Sequence, residues 1–459
     1  MLESKNMADK PELFGTDGVR GVAGHYPLDR ATIWKLGGAI GRVLGGERAP
    51  RAGQVLLGED TRESSAWISR TLAAGLRASG LTVTYAGVIT TPGVAFLTRH
   101  HGYAAGIVVS ASHNPFEDNG IKVLASSGRK LAEAVELAIE RELTETDGTP
   151  AESAVAPLVP STAILGDYLD YLVGLAGDLS RLAPLRVVVD CAYGAASQLA
   201  PQLLARLGIK TCALHAEPNG RNINLDCGSL HPEKMRKETR SCAADLGVAF
   251  DGDADRAMFA TREGRLLDGD HVLYACGLDF HARGELIGRC IVGTLMSNLG
   301  LELALARHGL SLKRTAVGDK YVLEEMLRSG INLGGEPSGH IIFSDISLAG
   351  DGLITLIRML RLLGESRSSL EELTQGLRQF PQIIRNVRVR EKPPLESIPS
   401  VAEAIERSHE EFGERGRVVV RYSGTEKLAR VMVEAEEAEA VERHAAHIAQ
   451  AIEAALGTH

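Results

Sequence analysis

Strand-like and helix-like patterns alternate along most of the chain. The apolar run GQVLLGED is followed by the amphipathic pattern SSAWISRTLAAGLRASG, and the runs LTVTYAGVIT and AAGIVVSAS flank TPGVAFLTRHHG in the same way. The same alternation of strand-like and helix-like patterns recurs around LRVVVD and LGVAFD, and again around RCIVGT and INLGGE. Because parallel strands are joined by helical crossovers, this alternation predicts three successive α/β units, each a sheet covered by helices.

The last part of the chain follows a different pattern. After Phe380, IIRNVRVRE is typical of a strand, SIPSVAEAIERSHEEFG of a helix, and GRVVVRYSG and ARVMVEAEE of strands before a final helix. This order predicts a smaller α+β domain. At 459 residues the chain is too long for one hydrophobic core. We predict four domains, at residues 1–160, 161–266, 267–380 and 381–459.

Composition and charge disfavour several classes of protein. The chain has 50 basic and 59 acidic side chains, a net charge of −9, which disfavours a nucleic-acid partner. It has no apolar signal region at its start and no uninterrupted apolar run of about 18 residues, so we expect no membrane span. The spacing of the six cysteines indicates neither a disulfide framework nor a zinc site. We therefore expect a cytoplasmic protein with reduced thiols.

Three aspartates stand at alternate positions directly after a strand-like run, in LGVAFDGDADR. Asp251, Asp253 and Asp255 would repel one another unless a hard cation lay among them, and oxygen ligands suit Mg²⁺. The D-x-D-x-D spacing also opens an EF-hand, but Arg256 and Arg262 stand where that loop needs Gly and Glu. A solvated acidic turn remains open as a structural alternative.

A polar cluster ends the strand-like run in AAGIVVSASHNP. Ser112 lacks the G-x-S-x-G elbow of many hydrolases, and a serine that carries a phosphoryl group fits better. A phosphoserine dianion needs a divalent cation and nearby arginines, which the three aspartates and Arg20 or Arg256 could supply. The structural alternative is that Ser112 caps a strand end or a turn.

A turn after a late strand has the composition of an anion site. The run RYSGTEKLAR combines hydroxyl groups, backbone N–H groups and guanidinium groups, which together suit a phosphate ester. It lacks the G-x-x-x-x-G-K-[ST] spacing of a nucleoside triphosphate loop. The candidate phosphate-binding residues are Arg421, Ser423, Gly424, Thr425 and Arg430.

The run GGEPSGH, at residues 334–340, offers a carboxylate, a hydroxyl and an imidazole on one turn. Glu336 and Ser338 could hydrogen-bond several hydroxyl groups of a sugar, with His340 beside them. For this loop and for the phosphate loop, an ordinary surface turn is the alternative interpretation.

Together these loops resemble those of the α-D-phosphohexomutase superfamily, in the same order and over nearly the whole chain. The resemblance rests on FGTDGVRG, SASHNP, DGDADR, GGEPSGH and RYSGTEKLARVMVE. Within the superfamily, FGTDGVRG, MSNLGLELAL and VGDKYVLEEM are most similar to the bacterial phosphoglucosamine mutases. The resemblance implies an α/β fold of three successive similar mixed-sheet domains plus a smaller C-terminal α+β domain, arranged around a central cleft.

The resemblance also implies an enzyme, an intramolecular phosphotransferase (isomerase) that interconverts glucosamine 6-phosphate and glucosamine 1-phosphate for UDP-N-acetylglucosamine and cell-wall precursor synthesis. Ser112 would be the phosphoserine, and hexosamine 1,6-bisphosphate would be the intermediate and activator. One Mg²⁺ per site would bind the serine phosphate and the side chains of Asp251, Asp253 and Asp255. The partner would be a small phosphosugar. The sequence leaves open whether two copies of the chain form a homodimer.

A general acid and base must exchange the proton of the sugar hydroxyl. Lys122 and His340 are the candidates, and Arg20 and Arg256 would assist the transfer of charge. Pro337 departs from the Gln or Asn that glucosamine enzymes often have in the sugar loop. A phosphomannomutase or phosphoglucomutase of the same superfamily is therefore the alternative. Two further classes of protein remain as alternatives. One is a phosphatase that uses an aspartate as nucleophile, and the other is a non-enzymatic sensor of sugar phosphates.

Overall fold

The computed structural model describes residues 11–15, 17–45, 50–144, 156–177, 185–423 and 427–457. The chain divides into two compact units. The first comprises Met1–Thr294 and Thr315–Thr374, and the second comprises Leu295–Arg314 and Gln375–His459. The four domain boundaries drawn from the sequence stay predictions.

The first part of the chain forms a five-stranded sheet with helices. Its elements are β1 (Val19–Val22), α1 (Arg30–Leu44), β2 (Arg51–Glu59), α2 (Ser65–Ala78), β3 (Thr82–Val88), α3 (Thr91–His101), β4 (Tyr103–Val109), β5 (Asp118–Ala125) and α4 (Glu133–Thr144). The strand order is β1-β5-β4-β2-β3. Strand β2 pairs in parallel with β3 and β4, whereas β5 pairs antiparallel with β4 and β1. Every residue of β4 is buried, which is typical of a central strand covered on both faces.

Two glycines bring helices α1 and α2 into close contact. A Cβ atom on Gly37 would lie 2.3 Å from the carbonyl oxygen of Leu72, and one on Gly75 would lie 2.1 Å from that of Trp34. These distances are too short for any side chain, so the two helix backbones approach one another only because both positions lack Cβ atoms.

The second part repeats this architecture. Its elements are α5 (Thr162–Ala176), β6 (Arg186–Asp190), α6 (Ala196–Arg206), β7 (Lys210–Leu214), α7 (Glu233–Ser241), β8 (Leu246–Phe250), β9 (Ala257–Ala260) and β10 (Leu266–Leu267). The order is β10-β9-β8-β6-β7, with β6 parallel to β7 and β8, and with β9 antiparallel to β8 and β10. This sheet is therefore mixed as well.

The third part has shorter strands. Its elements are α8 (Gly269–Ala282), β11 (Cys290–Thr294), α9 (Leu299–Ala306), β12 (Ser311–Thr315), α10 (Asp319–Ser329), β13 (Leu333–Gly335), β14 (Ile341–Phe343), α11 (Gly352–Ser366) and α12 (Leu370–Thr374). Strand β11 pairs in parallel with β13, and β13 pairs antiparallel with β14. Helix α11 places ten buried residues against its neighbours, which makes it a core helix of this part.

The C-terminal part lies in the second unit and is α+β. It contains β15 (Gln382–Arg388), α13 (Pro399–Phe412), β16 (Gly416–Tyr422), β17 (Leu428–Ala435) and α14 (Ala438–Leu456). The order β15-β17-β16 is antiparallel throughout. Residues of these strands and of α13 and α14 share one hydrophobic core.

The observed sheets confirm the predicted class, three similar α/β mixed-sheet parts followed by a smaller α+β part. Each of the first three sheets joins parallel strands to at least one antiparallel strand. Across the described ranges, no helix is both long enough and apolar enough to cross a membrane.

Replacing Gly75 with alanine tests the contact between α1 and α2. We expect Gly75→Ala to lower the free energy of unfolding by about 1–3 kcal/mol, because the new methyl group forces the two helices apart. Gly166→Ala is the matched control, since no atom lies within 4 Å of a Cβ at that position in α5. The control should be neutral or stabilising by up to about 1 kcal/mol. Denaturant unfolding measures both, and equal midpoints for Gly75→Ala and the wild type would contradict the packing.

Candidate active site

The serine predicted to carry phosphate lies just beyond the C-terminal end of β4. Ser112 is 2 % exposed and has a φ of 51°, a left-handed conformation that costs a non-glycine residue energy. Its backbone N–H donates to the hydroxyl of Ser110 over 3.1 Å. Its own hydroxyl donates to Asp251 Oδ2 over 2.6 Å. The strained turn therefore directs the Ser112 hydroxyl at the aspartate loop.

Two side chains that the sequence analysis did not single out hold the serine loop. Arg62 donates to the carbonyl oxygens of Ser112 and Asn114 over 3.1 and 2.6 Å. Asn224 donates to the same two oxygens over 2.9 and 3.0 Å. Arg62 is wholly buried and pairs with Asp60. The polar residues Asp60, Thr61 and Arg62 directly follow β2, and this position could have indicated Arg62. Nothing in the run around Asn224 pointed to that residue.

The three aspartates follow β8 and lie together. One carboxylate oxygen from each of Asp251, Asp253 and Asp255 lies within 4.8 Å of the other two. The loop also approaches the serine closely, because a Cβ on Gly252 would lie only 2.4 Å from the carbonyl oxygen of Ser112. The Oδ1 atoms of Asp253 and Asp255 are buried and have no hydrogen-bond partner among the described atoms. Buried carboxylate oxygens without hydrogen bonds at this spacing fit a divalent cation.

Electrostatics support the same conclusion. Burial raises the pKa of Asp251 well above its usual range, and the charges of Asp255 and Asp253 raise it further. Burial also acts to raise the pKa of Asp253, but the ammonium group of Lys122 outweighs it and holds that pKa well below its usual range. The charged form of Asp251 is therefore disfavoured where it lies, and a cation close to it would favour that form.

Lys122 lies on β5 and reaches the aspartate loop. Its Nζ donates to Asp253 Oδ2 over 2.8 Å and lies 3.2 Å from Asp17 Oδ2. Burial acts to lower the pKa of Lys122, but the charges of Asp17 and Asp253 outweigh it and raise the pKa well above its usual range. Lys122 is therefore a buried cation at neutral pH. Asp17 also pairs with Lys130 and Arg20, and the sequence analysis did not single it out.

His340 lies on the predicted sugar loop beside the third aspartate. Its Nδ1 lies 3.6 Å from Asp255 Oδ2, and its Nε2 lies 4.0 Å from Asp319 Oδ2. Burial acts to lower the pKa of His340, but hydrogen bonding and charge interaction with Asp255 raise it to about 9. The ring is therefore protonated at neutral pH, and it brings a second positive charge to the aspartate loop.

The remaining predicted residues of this unit surround the aspartate loop. The backbone N–H of Arg256 donates to Asp251 Oδ1 over 3.2 Å. Arg20 donates to the side chain of Asn114, within the serine loop, over 3.3 Å. Glu336 accepts from the backbone N–H of Gly318 over 2.9 Å. Arg20 therefore lies next to the serine loop, and Arg256 lies next to Asp251 of the aspartate loop.

A cavity of about 480 Å³ opens next to these groups. Its polar lining includes Asp17, Lys122, Asp255, Asp319 and His340. A space of this size, with charged groups of both signs on its wall, is suited to a small polar ligand. Ser338, whose buried hydroxyl has no hydrogen-bond partner among the described atoms, lies on the loop that carries His340.

The predicted phosphate loop belongs to the second compact unit. Arg421 and Arg430 lie opposite one another on the antiparallel strands β16 and β17. Ser423 is 5 % exposed, and its backbone N–H donates to the carbonyl oxygen of Leu428 over 2.8 Å. Gly424 and Thr425 lie outside the described residues. Within this unit, two guanidinium-bearing residues and a serine thus lie around one strand connection.

Comparison with known families defines the class of protein. Four family profiles match in succession, described as Phosphoglucomutase/phosphomannomutase alpha/beta/alpha domains I, II and III and the C-terminal domain. They match residues 11–149, 166–264, 268–380 and 385–451. The chain belongs to the phosphoglucomutase/phosphomannomutase family, which confirms the superfamily resemblance inferred from its loops.

Curated relatives narrow the class further. A protein from Koribacter versatilis named phosphoglucosamine mutase is 50 % identical and covers 98 % of both chains. One with the same name from Solibacter usitatus is 48 % identical and covers 97 % of this chain and 99 % of that one. Within the family, the chain is therefore similar over its whole length to proteins named phosphoglucosamine mutase.

Solved structures share the fold. A phosphoglucomutase/phosphomannomutase family protein from Burkholderia thailandensis has a TM-score of 0.76 at 24 % identity and covers 96 % of this chain and 97 % of that one. An Aspergillus fumigatus N-acetylphosphoglucosamine mutase, in complex with GlcNAc-6P and magnesium, has a TM-score of 0.65 at 18 % identity and covers 99 % and 97 %. At these identities the likeness extends to the fold alone.

Removing one carboxylate tests the cation site. We expect Asp255→Asn to raise the dissociation constant for Mn²⁺, a spectroscopic probe of hard divalent sites, by at least about tenfold, or about 1.4 kcal/mol. Asp170→Asn is the matched control, because Asp170 is largely exposed and pairs only with Arg206 in the described structure. Electron paramagnetic resonance of free Mn²⁺ measures both. Unchanged Mn²⁺ affinity in Asp255→Asn would exclude this carboxylate as a ligand.

Proposed function

We propose that this chain is a phosphoglucosamine mutase, which interconverts glucosamine 6-phosphate and glucosamine 1-phosphate. The observation that carries the proposal is the 2.6 Å hydrogen bond between Ser112 Oγ and Asp251 Oδ2, which joins residues 139 positions apart. A serine hydroxyl next to three clustered carboxylates is the arrangement that a phosphorylated serine and a cation would need. Whole-chain similarity to relatives named phosphoglucosamine mutase supports the choice of substrate.

Ser112 is proposed as the phosphoryl carrier. A phosphoserine dianion at this position would face Asp251, Asp253 and Asp255 at short range, and such a concentration of negative charge requires a cation. We propose that the three aspartates and the serine phosphate hold one Mg²⁺, since all of these ligands are hard oxygen donors. When bound, Mg²⁺ would neutralise charge that develops on the transferring phosphoryl group.

The proposed reaction moves phosphate in two steps. The free hydroxyl of the bound sugar phosphate forms a bond to phosphorus as the bond from phosphorus to Ser112 Oγ breaks, and a hexosamine 1,6-bisphosphate results. The sugar hydroxyl loses its proton and Ser112 Oγ gains one, so the net result is transfer of one proton from the sugar to the serine. The bisphosphate turns over, and its other phosphoryl group returns to Ser112. The cycle consumes no phosphate overall. A small amount of the bisphosphate would therefore be enough to activate the enzyme, and the same compound is the intermediate.

Lys122 and His340 are proposed to supply positive charge and protons. Both are protonated at neutral pH in the described structure, so they suit proton donation and charge stabilisation better than proton abstraction. Arg20 and Arg256 are proposed to add two guanidinium groups next to the serine and aspartate loops. This arrangement opposes the negative charge of the phosphoryl group from several directions.

The two remaining loops are proposed to bind the substrate. Glu336 and Ser338 would accept and donate hydrogen bonds with sugar hydroxyls. The phosphate that is not reacting would bind a group of residues in the second unit, namely Arg421, Ser423, Gly424, Thr425 and Arg430. The product would supply UDP-N-acetylglucosamine synthesis, a cytoplasmic process, and the partner of the chain would be a small phosphosugar.

Replacing Ser112 with alanine tests the covalent route. We expect Ser112→Ala to lower isomerase turnover at least about a thousandfold, or about 4 kcal/mol of activation free energy, while the fold stays intact. Ser241→Ala, which removes an exposed hydroxyl on α7, should retain wild-type turnover. The assay offers glucosamine, glucose and mannose 1-phosphates side by side, and peptide mass mapping should find phosphate on Ser112.

Other outcomes of that assay favour other functions. Retained turnover in Ser112→Ala would reject the phosphoserine. Inorganic phosphate as the main product would favour a phosphatase, and binding without isomerisation would favour a sensor. Faster turnover of glucose or mannose 1-phosphate would favour the alternative mutases, consistent with Pro337, which offers no side-chain hydrogen bond to the sugar.

Removing the Arg421 guanidinium tests the phosphate loop. We expect Arg421→Ala to raise the KM for glucosamine 1-phosphate about tenfold to a hundredfold, the value of a charge-assisted hydrogen bond of about 1.5–3 kcal/mol. Mn²⁺ affinity should not change. Arg407→Ala is the control, because Arg407 is an exposed arginine of the same unit that pairs with Glu403. Equal losses of sugar phosphate and Mn²⁺ affinity would contradict the separate role of this loop.

A further inference from the structure

A second group of metal-ligating side chains lies in the second sheet, apart from the three aspartates. Asp190 is the last residue of β6, and His215 follows the last residue of β7. The two strands are parallel neighbours, and Asp190 pairs in register with Leu214. Cys227 lies in the connection between β7 and α7, downstream of His215. One ligand atom from each of these three side chains lies within 4.8 Å of the other two.

The group is largely buried, and the Nδ1 atom of its imidazole faces the Asp190 carboxylate. The His215 side chain is 7 % exposed, and Cys227 is 1 % exposed. The Nδ1 atom of His215 is buried without a hydrogen-bond partner among the described atoms. It nevertheless lies 3.0 Å from Asp190 Oδ1. Two ligand atoms of one tetrahedral ion, each about 2.0–2.2 Å from it, are separated by about 3.3–3.6 Å. The two atoms would therefore have to move apart by only a few tenths of an ångström for one metal ion to bridge them.

The Asp190 carboxylate is already held in position. Its Oδ1 accepts the backbone N–H of Ala192 over 2.9 Å, and its Oδ2 accepts that of Gly228 over 3.2 Å. A carboxylate has about four acceptor positions, so both oxygens retain one for a further ligand. The backbone therefore orients the carboxylate as the partners of metal ligands do in known sites.

A hydrogen-bonded arrangement without metal is the competing interpretation. Lys234 Nζ lies 3.3 Å from His215 Nε2, and an ammonium group there would leave the ring proton on Nδ1, facing Asp190. However, the side chain of Lys234 starts from an exposed position on α7, so it can turn to solvent. This interpretation also gives the Cys227 sulfur no role, although the sulfur lies within the group.

We propose that Asp190, His215 and Cys227 form a second metal site, for a borderline divalent ion of which Zn²⁺ is the typical member. One nitrogen, one sulfur and one oxygen ligand suit Zn²⁺, whereas Mg²⁺ prefers oxygen ligands and disfavours thiolate. On binding, the Cys227 thiol gives its proton to solvent and the sulfur bonds to the ion. A water molecule completes the fourth position.

The site adjoins the proposed active site through the backbone. The N–H of Asn224 donates to the carbonyl oxygen of Ala192 over 2.9 Å, and the Asn224 side chain holds the carbonyl oxygen of Ser112. The N–H of Ala195 donates to Gly252, within the aspartate loop, over 2.8 Å. An ion bound by Asp190, His215 and Cys227 would therefore fix the connection that carries Asn224 against both catalytic loops, which is a structural role.

Cobalt substitution tests the proposal in the whole protein. With Mg²⁺ in excess to occupy the aspartate loop, we expect one Co²⁺ per chain to bind and to produce thiolate-to-cobalt charge-transfer absorption. The band should disappear in Cys227→Ser and in His215→Gln. It should persist in Cys276→Ser, the matched control, because Cys276 is equally buried but packs against Met359. Absence of the band in wild-type protein, or its persistence in Cys227→Ser, would overturn the proposal.

A measurement on the unmutated chain covers the case in which the variants fail to fold. X-ray absorption of the protein loaded with one equivalent of Zn²⁺, with Mg²⁺ in excess, should show one sulfur at about 2.3 Å and lighter ligands at about 2.0–2.2 Å. A shell of oxygen and nitrogen alone would overturn the proposal. Neither measurement depends on isomerase turnover, so the outcome is independent of the proposed function.

Discussion

Repulsion among three clustered carboxylates, two of them fully buried, is the constraint around which the active-site region is built. Asp251, Asp253 and Asp255 follow one strand, and the Oδ1 atoms of the second and third have no hydrogen-bond partner among the described atoms. The protein itself supplies the neighbouring cations Lys122 and His340. The pKa of Asp251 nevertheless stays raised, first by burial and then by the charges of Asp255 and Asp253. Neighbouring residues fix the position of this loop, but they do not fully compensate the negative charge of its carboxylates. A bound cation would compensate that charge.

The serine loop is positioned by rigid surroundings rather than by its own sequence. Ser112 has a left-handed backbone, and Arg62 and Asn224 hold its carbonyl oxygen from two different parts of the chain. Gly252 allows the aspartate loop to approach the same oxygen closely. The strain in this turn is thus supported by long-range contacts, and the result is a hydroxyl aimed at a carboxylate. Such preorganisation is what transfer of a phosphoryl group requires.

Sequence reasoning singled out those residues of the candidate site whose signal was local. The alternating aspartates and the polar end of a buried strand identified Ser112 and the aspartate loop directly. It did not identify Asp17 and Arg62, because each contacts the candidate site through a residue that is distant in sequence. Asp17 pairs with Lys122, and Arg62 donates to the carbonyl oxygen of Ser112. The cysteine spacing likewise indicated no zinc site. The group around Cys227 exists only because two parallel strands bring their ends together.

The alternation of strands and helices, the three α/β parts and the change to a smaller α+β part could be predicted from the sequence alone, because hydrophobic periodicity is a local property of neighbouring residues. That each of the three sheets also contains an antiparallel strand did not follow from this periodicity. The tertiary structure decided which loops meet. The contact between Ser112 and Asp251 depends on two sheets packing with their strand ends together, which no periodicity encodes. The protonation of Lys122 and His340 was decided there as well, since a pKa depends on the charges that surround a buried group in space rather than on its neighbours in sequence.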